Sequence, residues 1–495
     1  MGVIIKQSIK STIYAYIGAV IGFVNVSLLM PKLLSTEEIG LVNYLISISL
    51  ILSQFSSLGL SSLINRIFPY FRDSNKKHNG FFTLGFIIST LGSFLAIILF
   101  FSLKQQFLKG ENNSIELENY IFYVLPLSII YIFLNYFDNF LKALFKSTTG
   151  VFLKEILTRV LISFVILLYF LEWINLDFFI LLYFISLSLP LFVMGIYLLM
   201  IKEFKLILPR RFLLNRLSKA IFSISLFGII TGFSNIAILN IDKYMIERYV
   251  GLSGVGIYAI TFYFATLILF PARSIQKIAT MILSESWKNN DIKNIFTIYY
   301  KSTITQLIIG GYIFIGIWVN INSILAILGI DYESGRDVIF YIGLANMINM
   351  LSGLSIYIIT TSKKYIYSSI FVLIMLVLII ITNIIFIPTY GIVGAAIASC
   401  ISMLIVSILR FAFLWKTFTL QPYNFQHVKI IGILIISYFV AYICPEPYMP
   451  FVNILIKGSV VSLIFGLLIY FSKVSEDINQ KINEIIKLVF VNLKI

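Results

Sequence analysis

Apolar residues are gathered along this chain into about fourteen stretches of roughly 18–24 residues, and only short polar segments separate them. Each stretch is long enough to cross a lipid bilayer as a helix. The stretches are too long and too uniformly apolar for the strands of a membrane barrel, and lipid satisfies no backbone polar groups, so the pattern predicts helices. The predicted spans lie near residues 9–30, 39–60, 81–103, 119–141, 151–171, 178–201, 220–241, 255–275, 301–321, 337–360, 366–388, 392–414, 428–444 and 452–471.

The polar segments between the spans divide the chain into predicted domains. The most basic of them runs from Lys202 to Lys219, between the sixth and seventh spans, and is a candidate linker between two halves. After Tyr470, apolar residues recur near helical spacing with charges between them, which favours an amphipathic helix on the cytoplasmic surface over a soluble tail. The predicted division is an N-lobe at 1–201, a linker at 202–219, a C-lobe at 220–415, an extra pair of spans at 428–471 and a tail at 472–495.

Spans one and seven carry the same short pattern. Two glycines, a phenylalanine and an asparagine recur at one constant separation: Gly18, Gly22, Phe23 and Asn25 in the first, and Gly228, Gly232, Phe233 and Asn235 in the second. The next span of each half has a glycine near its start, Gly40 or Gly256. Six spans separate the repeats, so the pattern predicts two parallel six-helix lobes with pseudo-two-fold symmetry. Chance similarity between apolar helices is the alternative.

Charge supports the span assignment and sets its orientation. If the N-terminus lies in the cytoplasm, roughly 30 of the 37 Lys and Arg residues fall on or beside cytoplasmic segments. The asymmetry predicts that both termini are cytoplasmic, and it accounts for most of the net charge of +15 without a nucleic-acid partner. With 59% hydrophobic and 12% charged residues, the composition is that of a multi-pass membrane protein rather than a soluble domain.

Motifs for catalysis are missing from the sequence. The two histidines, His78 and His427, fall in predicted cytoplasmic loops, so neither a histidine triad nor a histidine metal cluster can be built from them. The chain has no phosphate-binding loop of the GxxxxGK[ST] type. We therefore predict a protein that is not an enzyme, without catalytic residues, a metal site or a cofactor.

A few polar residues within or beside the spans are candidates for a binding site, because such residues are costly in lipid and tend to face cavities. Arginines near the cytoplasmic span ends could equally be topology anchors or snorkelling side chains, and the amides could make ordinary bonds between helices. Asp242 and Lys243 are expected to close span seven on its outer side. The candidates are Arg66, Arg159, Arg273, Asp138, Asn25 and Asn235.

Three segments resemble one family of membrane proteins. Pro388, Tyr390, Gly391, Gly394, Ala395 and Ala396 match its hairpin between spans eleven and twelve. The stretches Asn240–Tyr258 and Pro31–Gly40 resemble its seventh and eighth spans and its first hairpin. On these residues the chain is identified as similar to the Wzx-like polysaccharide flippases of the multidrug/oligosaccharidyl-lipid/polysaccharide exporter superfamily.

The resemblance implies two six-helix lobes around a central cavity, plus the extra pair of spans. It further implies a flippase that moves a polyprenyl-diphosphate-linked oligosaccharide to the outer leaflet of a bacterial inner membrane by alternating access, for surface polysaccharide such as the O-antigen of lipopolysaccharide. The expected partners are this substrate and membrane lipids. A cation-coupled drug antiporter of the same superfamily and a membrane glycan polymerase or ligase are the alternatives. The glycan, the energy source and the oligomeric state stay open.

Overall fold

The computed structural model of the chain describes residues 2–73, 75–110, 115–207, 215–446, 449–480 and 483–484. These residues form helices and connecting turns, and no strand occurs among them. Each predicted span is mostly helical, although turns at 57–59 and 352–354 interrupt those near 39–60 and 337–360. By length and composition eleven helices of the described residues could cross a membrane, or twelve when the bent pair Ile330–Leu351 and Ser355–Thr361 counts as one span. The predicted all-helical, multi-pass membrane fold is confirmed, whereas the figure of fourteen crossings stays a prediction.

The chain forms two compact units, Met1–Ile260 and Thr261–Ile495. The α-helices of the first are α1 Gly2–Val24, α2 Met30–Leu33, α3 Thr36–Ser56, α4 Leu60–Phe71, α5 Phe81–Phe107, α6 Ile115–Tyr120, α7 Val124–Ala143, α8 Ser147–Phe152, α9 Thr158–Phe170, α10 Leu176–Met200, α11 Asn215–Val250 and the start of α12 Leu252–Thr266. Those of the second are α13 Phe270–Lys288, α14 Ile292–Val319, α15 Ile321–Leu328, α16 Arg336–Leu351, α17 Ser355–Thr361, α18 Ile366–Phe418, α19 Phe425–Tyr442 and α20 Pro450–Ser472.

Helix α11, the predicted seventh span, belongs to the first unit because it packs along α3 and α4. Its two repeat glycines make this contact: a Cβ at Gly228 would lie 2.8 Å from the side chain of Ser62, and one at Gly232 would lie 2.4 Å from Nε2 of Gln54. The close approach expected of small residues is therefore present. The lobe boundary at 202–219 stays a prediction, and residues 208–214 of the basic linker lie outside the described residues.

Asp242 and Lys243 do not end the helix of the seventh span, because α11 continues to Val250, and their place at the outer membrane boundary stays a prediction. Asp242 is buried and its carboxylate accepts a hydrogen bond of 2.6 Å from the hydroxyl of Tyr258 in α12. A polar partner inside the protein thus allows the helix to carry charged residues for two further turns.

Helix α18 is a helical hairpin whose two arms meet at Gly391, where φ is +57°. The hydroxyls of Thr382 and Ser402 lie 3.2 Å apart, although twenty residues of straight helix would separate them by about 30 Å. Glycine suits the turn because other residues rarely adopt this φ. The predicted hairpin between spans eleven and twelve is confirmed.

Two hydrophobic cores hold the ends of the spans together. In the first unit, aromatic residues of α4, α5 and α7 pack edge to face, with ring centroids about 5 Å apart for Phe68, Phe81, Phe82 and Phe140. In the second unit, α14, α19 and α20 share a core with Val474 and Ile478. The start of the predicted amphipathic tail therefore packs on the protein, and most of its remaining residues lie outside the described part of the chain.

Candidate functional site

Two of the predicted site residues, Asn25 and Arg159, meet where the first span packs against the fifth. The glycines of span one allow the approach: a Cβ at Gly18 would lie 2.4 Å from the carbonyl oxygen of Glu155, and one at Gly22 would lie 1.6 Å from Nη1 of Arg159. A side chain at either position would collide with the fifth span. Glycine at both positions therefore leaves the room that the fifth span and the Arg159 guanidinium occupy.

Both helices have a π-helical turn at this contact. One covers Asn25–Leu29 and continues α1, and the other covers Leu153–Leu157 and leads into α9. Asn25 is buried; its Nδ2 donates to the carbonyl oxygen of Arg159 at 2.9 Å, and its Oδ1 accepts from the hydroxyl of Ser163 at 2.7 Å. Asn25 thus anchors α9 against the first span. Single π turns inside α-helices occur often at functional sites.

The guanidinium of Arg159 is the group at this contact that can bind a ligand. Its Nη2 lies 2.9 Å from Oε2 of Glu155, one turn earlier, and its side chain keeps 28% of its surface exposed. A guanidinium has five N–H donors in a planar fork, and one carboxylate oxygen engages few of them. The exposed donors can bind an additional anion such as a phosphate.

Asp138 is held in a closed ion cluster rather than left available to a ligand. It is 2% exposed, and its Oδ2 is bonded to Lys142 at 2.8 Å and, at shorter range, to Lys154. Its Oδ1 packs against Gly150, where a Cβ would lie 2.2 Å away. Because Lys142 lies on α7 and Lys154 precedes α9, the cluster ties the fourth span to the fifth.

Three of the other candidates, Arg66, Asn235 and Arg273, are exposed. Arg66 is exposed on α4, and Asn235 is exposed on α11, where its amide donates to the carbonyl of Thr231 in the same helix. Arg273 belongs to the second unit, is exposed, and lies 4.9 Å from the ring of Phe270. Asn25 and Asn235 therefore differ in bonding, and their equivalence under pseudo-symmetry stays a prediction.

A second contact in the first unit joins the starts of α3 and α12. A Cβ at Gly40 would lie 1.8 Å from the carbonyl oxygen of Leu252, and one at Gly256 would lie 1.9 Å from that of Thr36. The contact is reciprocal, since each glycine meets the residue four positions before the other. The hydroxyls of Thr36 and Ser253 are 2.7 Å apart. Both glycines appear in the sequence repeat, but the repeat does not reveal that they touch.

Polar side chains continue this contact along α3 and α11. Nζ of Lys243 donates to Oδ1 of Asn43 at 3.4 Å, and the rings of Tyr44 and Tyr244 stack with centroids 6.5 Å apart. Glu247 is 4% exposed and belongs to none of the ion pairs that the described residues form. Buried charges of this kind are costly, so the contact combines close backbone packing with polar side chains that water would stabilise better.

The family of the chain follows from its sequence. Residues 4–280, more than half of the chain, match the family described as polysaccharide biosynthesis protein. The chain belongs to this family. No curated protein sequence matches it.

Solved structures with the same fold are membrane transporters and flippases. The lipid II flippase MurJ, in an inward closed conformation, matches with a TM-score of 0.73 and 17% identity, over 94% of this chain and 100% of that one. A MOP superfamily transporter from Pyrococcus furiosus matches with a TM-score of 0.56 and 17% identity, over 84% of this chain and 95% of that one. An inward-facing multidrug resistance MATE family transporter matches with a TM-score of 0.59 and 15% identity, over 84% of this chain and 94% of that one.

These comparisons confirm the resemblance found in the sequence. The protein is a multi-pass membrane member of the polysaccharide biosynthesis family with the fold of MOP superfamily transporters. At these identities the solved structures establish the fold alone. The substrate and the direction of transport need a separate argument.

Proposed function

We propose that the protein is a flippase that moves a polyprenyl-diphosphate-linked oligosaccharide from the cytoplasmic to the outer leaflet of a bacterial inner membrane. The family match over residues 4–280 carries the proposal, because it joins polysaccharide biosynthesis to a chain whose fold is that of transporters and flippases. A membrane-embedded carrier is the component that such biosynthesis needs when a glycan is assembled on one side and used on the other.

The head group of this substrate requires cationic partners, and Arg159 is the best placed of the candidates. A diphosphate presents several oxygens that accept charge-assisted hydrogen bonds, and the arginine fork can hold two of them at once. The partly exposed guanidinium packs against Gly22 and pairs with Glu155. We also propose Arg66 and Arg273, each within its own unit, as cationic residues for the head group, and Asn25, Asn235 and Asp138 as residues that shape the path.

Alternating access also requires a contact that closes the outer side, and the contact between Gly40 of α3 and Gly256 of α12 suits this role. The predicted topology places it at the outer ends of the second and eighth spans. Close glycine packing makes the contact tight, while the polar residues Asn43, Lys243 and Glu247 beside it lower the cost of parting the helices in water. We propose that this contact is the outer gate.

The alternative of a cation-coupled drug antiporter lacks a supporting observation in the first lobe. Such a transporter needs a carboxylate that a proton or cation can reach, and the acids within the N-lobe spans are Asp138 and Glu155. Two lysines pair with Asp138, and Arg159 pairs with Glu155. A polymerase or ligase is disfavoured because the family and the structural neighbours point to transport.

The proposed function predicts that purified protein in proteoliposomes moves a fluorescent polyprenyl-diphosphate oligosaccharide between leaflets. Movement is measured as the fraction of label that a membrane-impermeant quencher reaches from outside. We expect faster loss of the protected fraction than in vesicles carrying a heat-inactivated sample. Equal rates for native and inactivated protein, across lipid-linked glycans of differing sugar composition, would contradict the proposal.

Topology provides a prediction that does not depend on the substrate. Because most Lys and Arg residues fall on alternate segments, we expect reporter fusions near residues 75, 210 and 285 to be cytoplasmic. Fusions near residues 110, 175 and 330 should be outside, and both termini should be cytoplasmic. Activities of alkaline phosphatase and green fluorescent protein fused at the six positions measure this, and the opposite pattern would reject the orientation.

A further inference from the structure

Arg410 is a buried charge that the proposed transport path does not use. It lies on the second arm of the α18 hairpin, about two turns before the helix ends at Phe418, and is 7% exposed. Its Nε has no hydrogen-bond partner, and none of the ion pairs among the described residues includes it. A charge inside a membrane protein is costly unless something neutralises it.

The surroundings of Arg410 are hydroxyl groups rather than acids. Arg410 interacts electrostatically with Tyr357 and Tyr299, and the Tyr299 hydroxyl interacts with that of Tyr423. The Ser407 hydroxyl, one turn before Arg410 on the same face of α18, is buried without a hydrogen-bond partner. Polar donors from α14, α17, α18 and the segment before α19 therefore converge on one place.

Two of these hydroxyls are fixed in position by bonds to the protein. The Tyr357 hydroxyl donates to Oε1 of Gln276 at 2.9 Å, and that of Tyr423 donates to the carbonyl oxygen of Leu351 at 3.3 Å. Nε of Arg410 and the hydroxyl of Ser407 have no acceptor among the residues that the structure describes. The cluster thus combines a positive charge with an excess of donors.

A topology anchor does not have these properties. An anchoring residue extends its charge to water, as Lys416 does from the same helix, where it is exposed. A buried water could satisfy a hydroxyl, but it would not neutralise the guanidinium. A bound anion would accept hydrogen bonds from the hydroxyls and would also neutralise the guanidinium.

We propose that Arg410, with the hydroxyls of Tyr299 and Ser407, binds a phosphate group at the predicted cytoplasmic end of the C-terminal half. A phosphate accepts several hydrogen bonds at once, and the arginine fork matches two of its oxygens. The phosphate could belong to an anionic phospholipid of the inner leaflet or to a soluble phosphate or diphosphate. The site is distinct from Arg159, and the proposal does not depend on which substrate is transported.

The test compares the wild type with Arg410→Met, which keeps the length and apolar character of the side chain without its charge. The full chain is placed in nanodiscs of phosphatidylcholine alone, or of phosphatidylcholine with roughly one part in five of phosphatidylglycerol. Phosphatidylglycerol is an anionic lipid, and anionic lipids attract basic segments. Inorganic diphosphate is titrated into the first set. The melting temperature is followed in each case, with Lys416→Gln as the matched control from the same helix.

We expect phosphatidylglycerol or diphosphate to raise the melting temperature of the wild type and of Lys416→Gln but not of Arg410→Met. The apparent dissociation constant should rise about tenfold or more in the variant. A response to phosphatidylglycerol alone identifies a lipid head group, and a response to diphosphate identifies a soluble or substrate-borne phosphate. Equal responses of wild type and Arg410→Met, or no response of the wild type, would overturn the proposal. If Arg410→Met does not fold, Tyr299→Phe replaces it, and an unchanged dissociation constant in that variant also counts against the site.

Discussion

Replacing Arg159 with alanine is expected to abolish most transport while the protein still inserts and folds. The charge-assisted bonds between this guanidinium and a diphosphate contribute roughly 1.5–3 kcal/mol, so binding should weaken about 10- to 150-fold. Arg159→Lys should also be impaired, because an ammonium lacks the planar fork. The measurement is the flipping rate in proteoliposomes, at equal amounts of folded protein judged by gel filtration.

Two controls separate binding from stability. Arg336 pairs with Glu333 one turn earlier, much as Arg159 pairs with Glu155, and it lies on a predicted outer segment, so Arg336→Ala should transport normally. Glu155→Gln removes the competing carboxylate and should leave transport intact. If Glu155→Gln and Arg159→Ala fail equally, the ion pair is structural and the assignment of Arg159 to the diphosphate is wrong.

Linking Thr36 to Ser253 through cysteines is expected to stop transport reversibly. The two hydroxyl oxygens are 2.7 Å apart, so cysteines at these positions should oxidise to a disulfide in the closed form. If the contact is the outer gate, the linked protein cannot open. The transport rate should then fall to the rate contributed by the fraction of protein that has not formed the disulfide. The background carries Cys400→Ser and Cys444→Ser, the two native cysteines. A reducing agent should restore the rate.

A matched pair within the first six spans shows whether a cross-link alone is harmful. The side chains of Ser61 in α4 and Asn139 in α7 are 3.0 Å apart, and their helices are expected to move together. Oxidising Ser61→Cys with Asn139→Cys should leave transport unchanged. Normal transport by the fully linked Thr36→Cys, Ser253→Cys protein would show that the α3–α12 contact does not open. Failure of both unlinked proteins to transport would instead reject the flippase assignment.

Much of the fold could be predicted from the sequence because membrane spans are set by local composition. The apolar stretches are mostly helical, and the turn at Gly391 was visible from Pro388, Tyr390 and the small residues after it. The end of the helix of the seventh span was not predictable. Asp242 and Lys243 look like a membrane boundary, and only the burial of Asp242 beside Tyr258 explains why the helix continues.

The candidate site was predicted less completely because it depends on contacts between distant segments. The sequence singled out Asn25 and Arg159 separately, but their meeting depends on Gly22 and on a helix more than a hundred residues away. Asp138 looked like an available acid because its pairing with Lys154 spans a turn between two helices. Arg410 was not singled out, since no local pattern distinguishes a buried arginine from an anchoring one.

The paired π turns have a consequence for comparing this chain with its relatives. A π turn takes up one more residue than an α turn, and each residue of an α-helix rotates the chain by about 100°. A relative that lacks the π turn at Asn25–Leu29 must have one residue fewer there to keep Gly18 and Gly22 directed at the fifth span. The same holds for Leu153–Leu157 and the direction of Arg159. Against such a relative, an alignment through either segment needs a single-residue gap, and an ungapped alignment would match Arg159 with a residue on a different face of the helix.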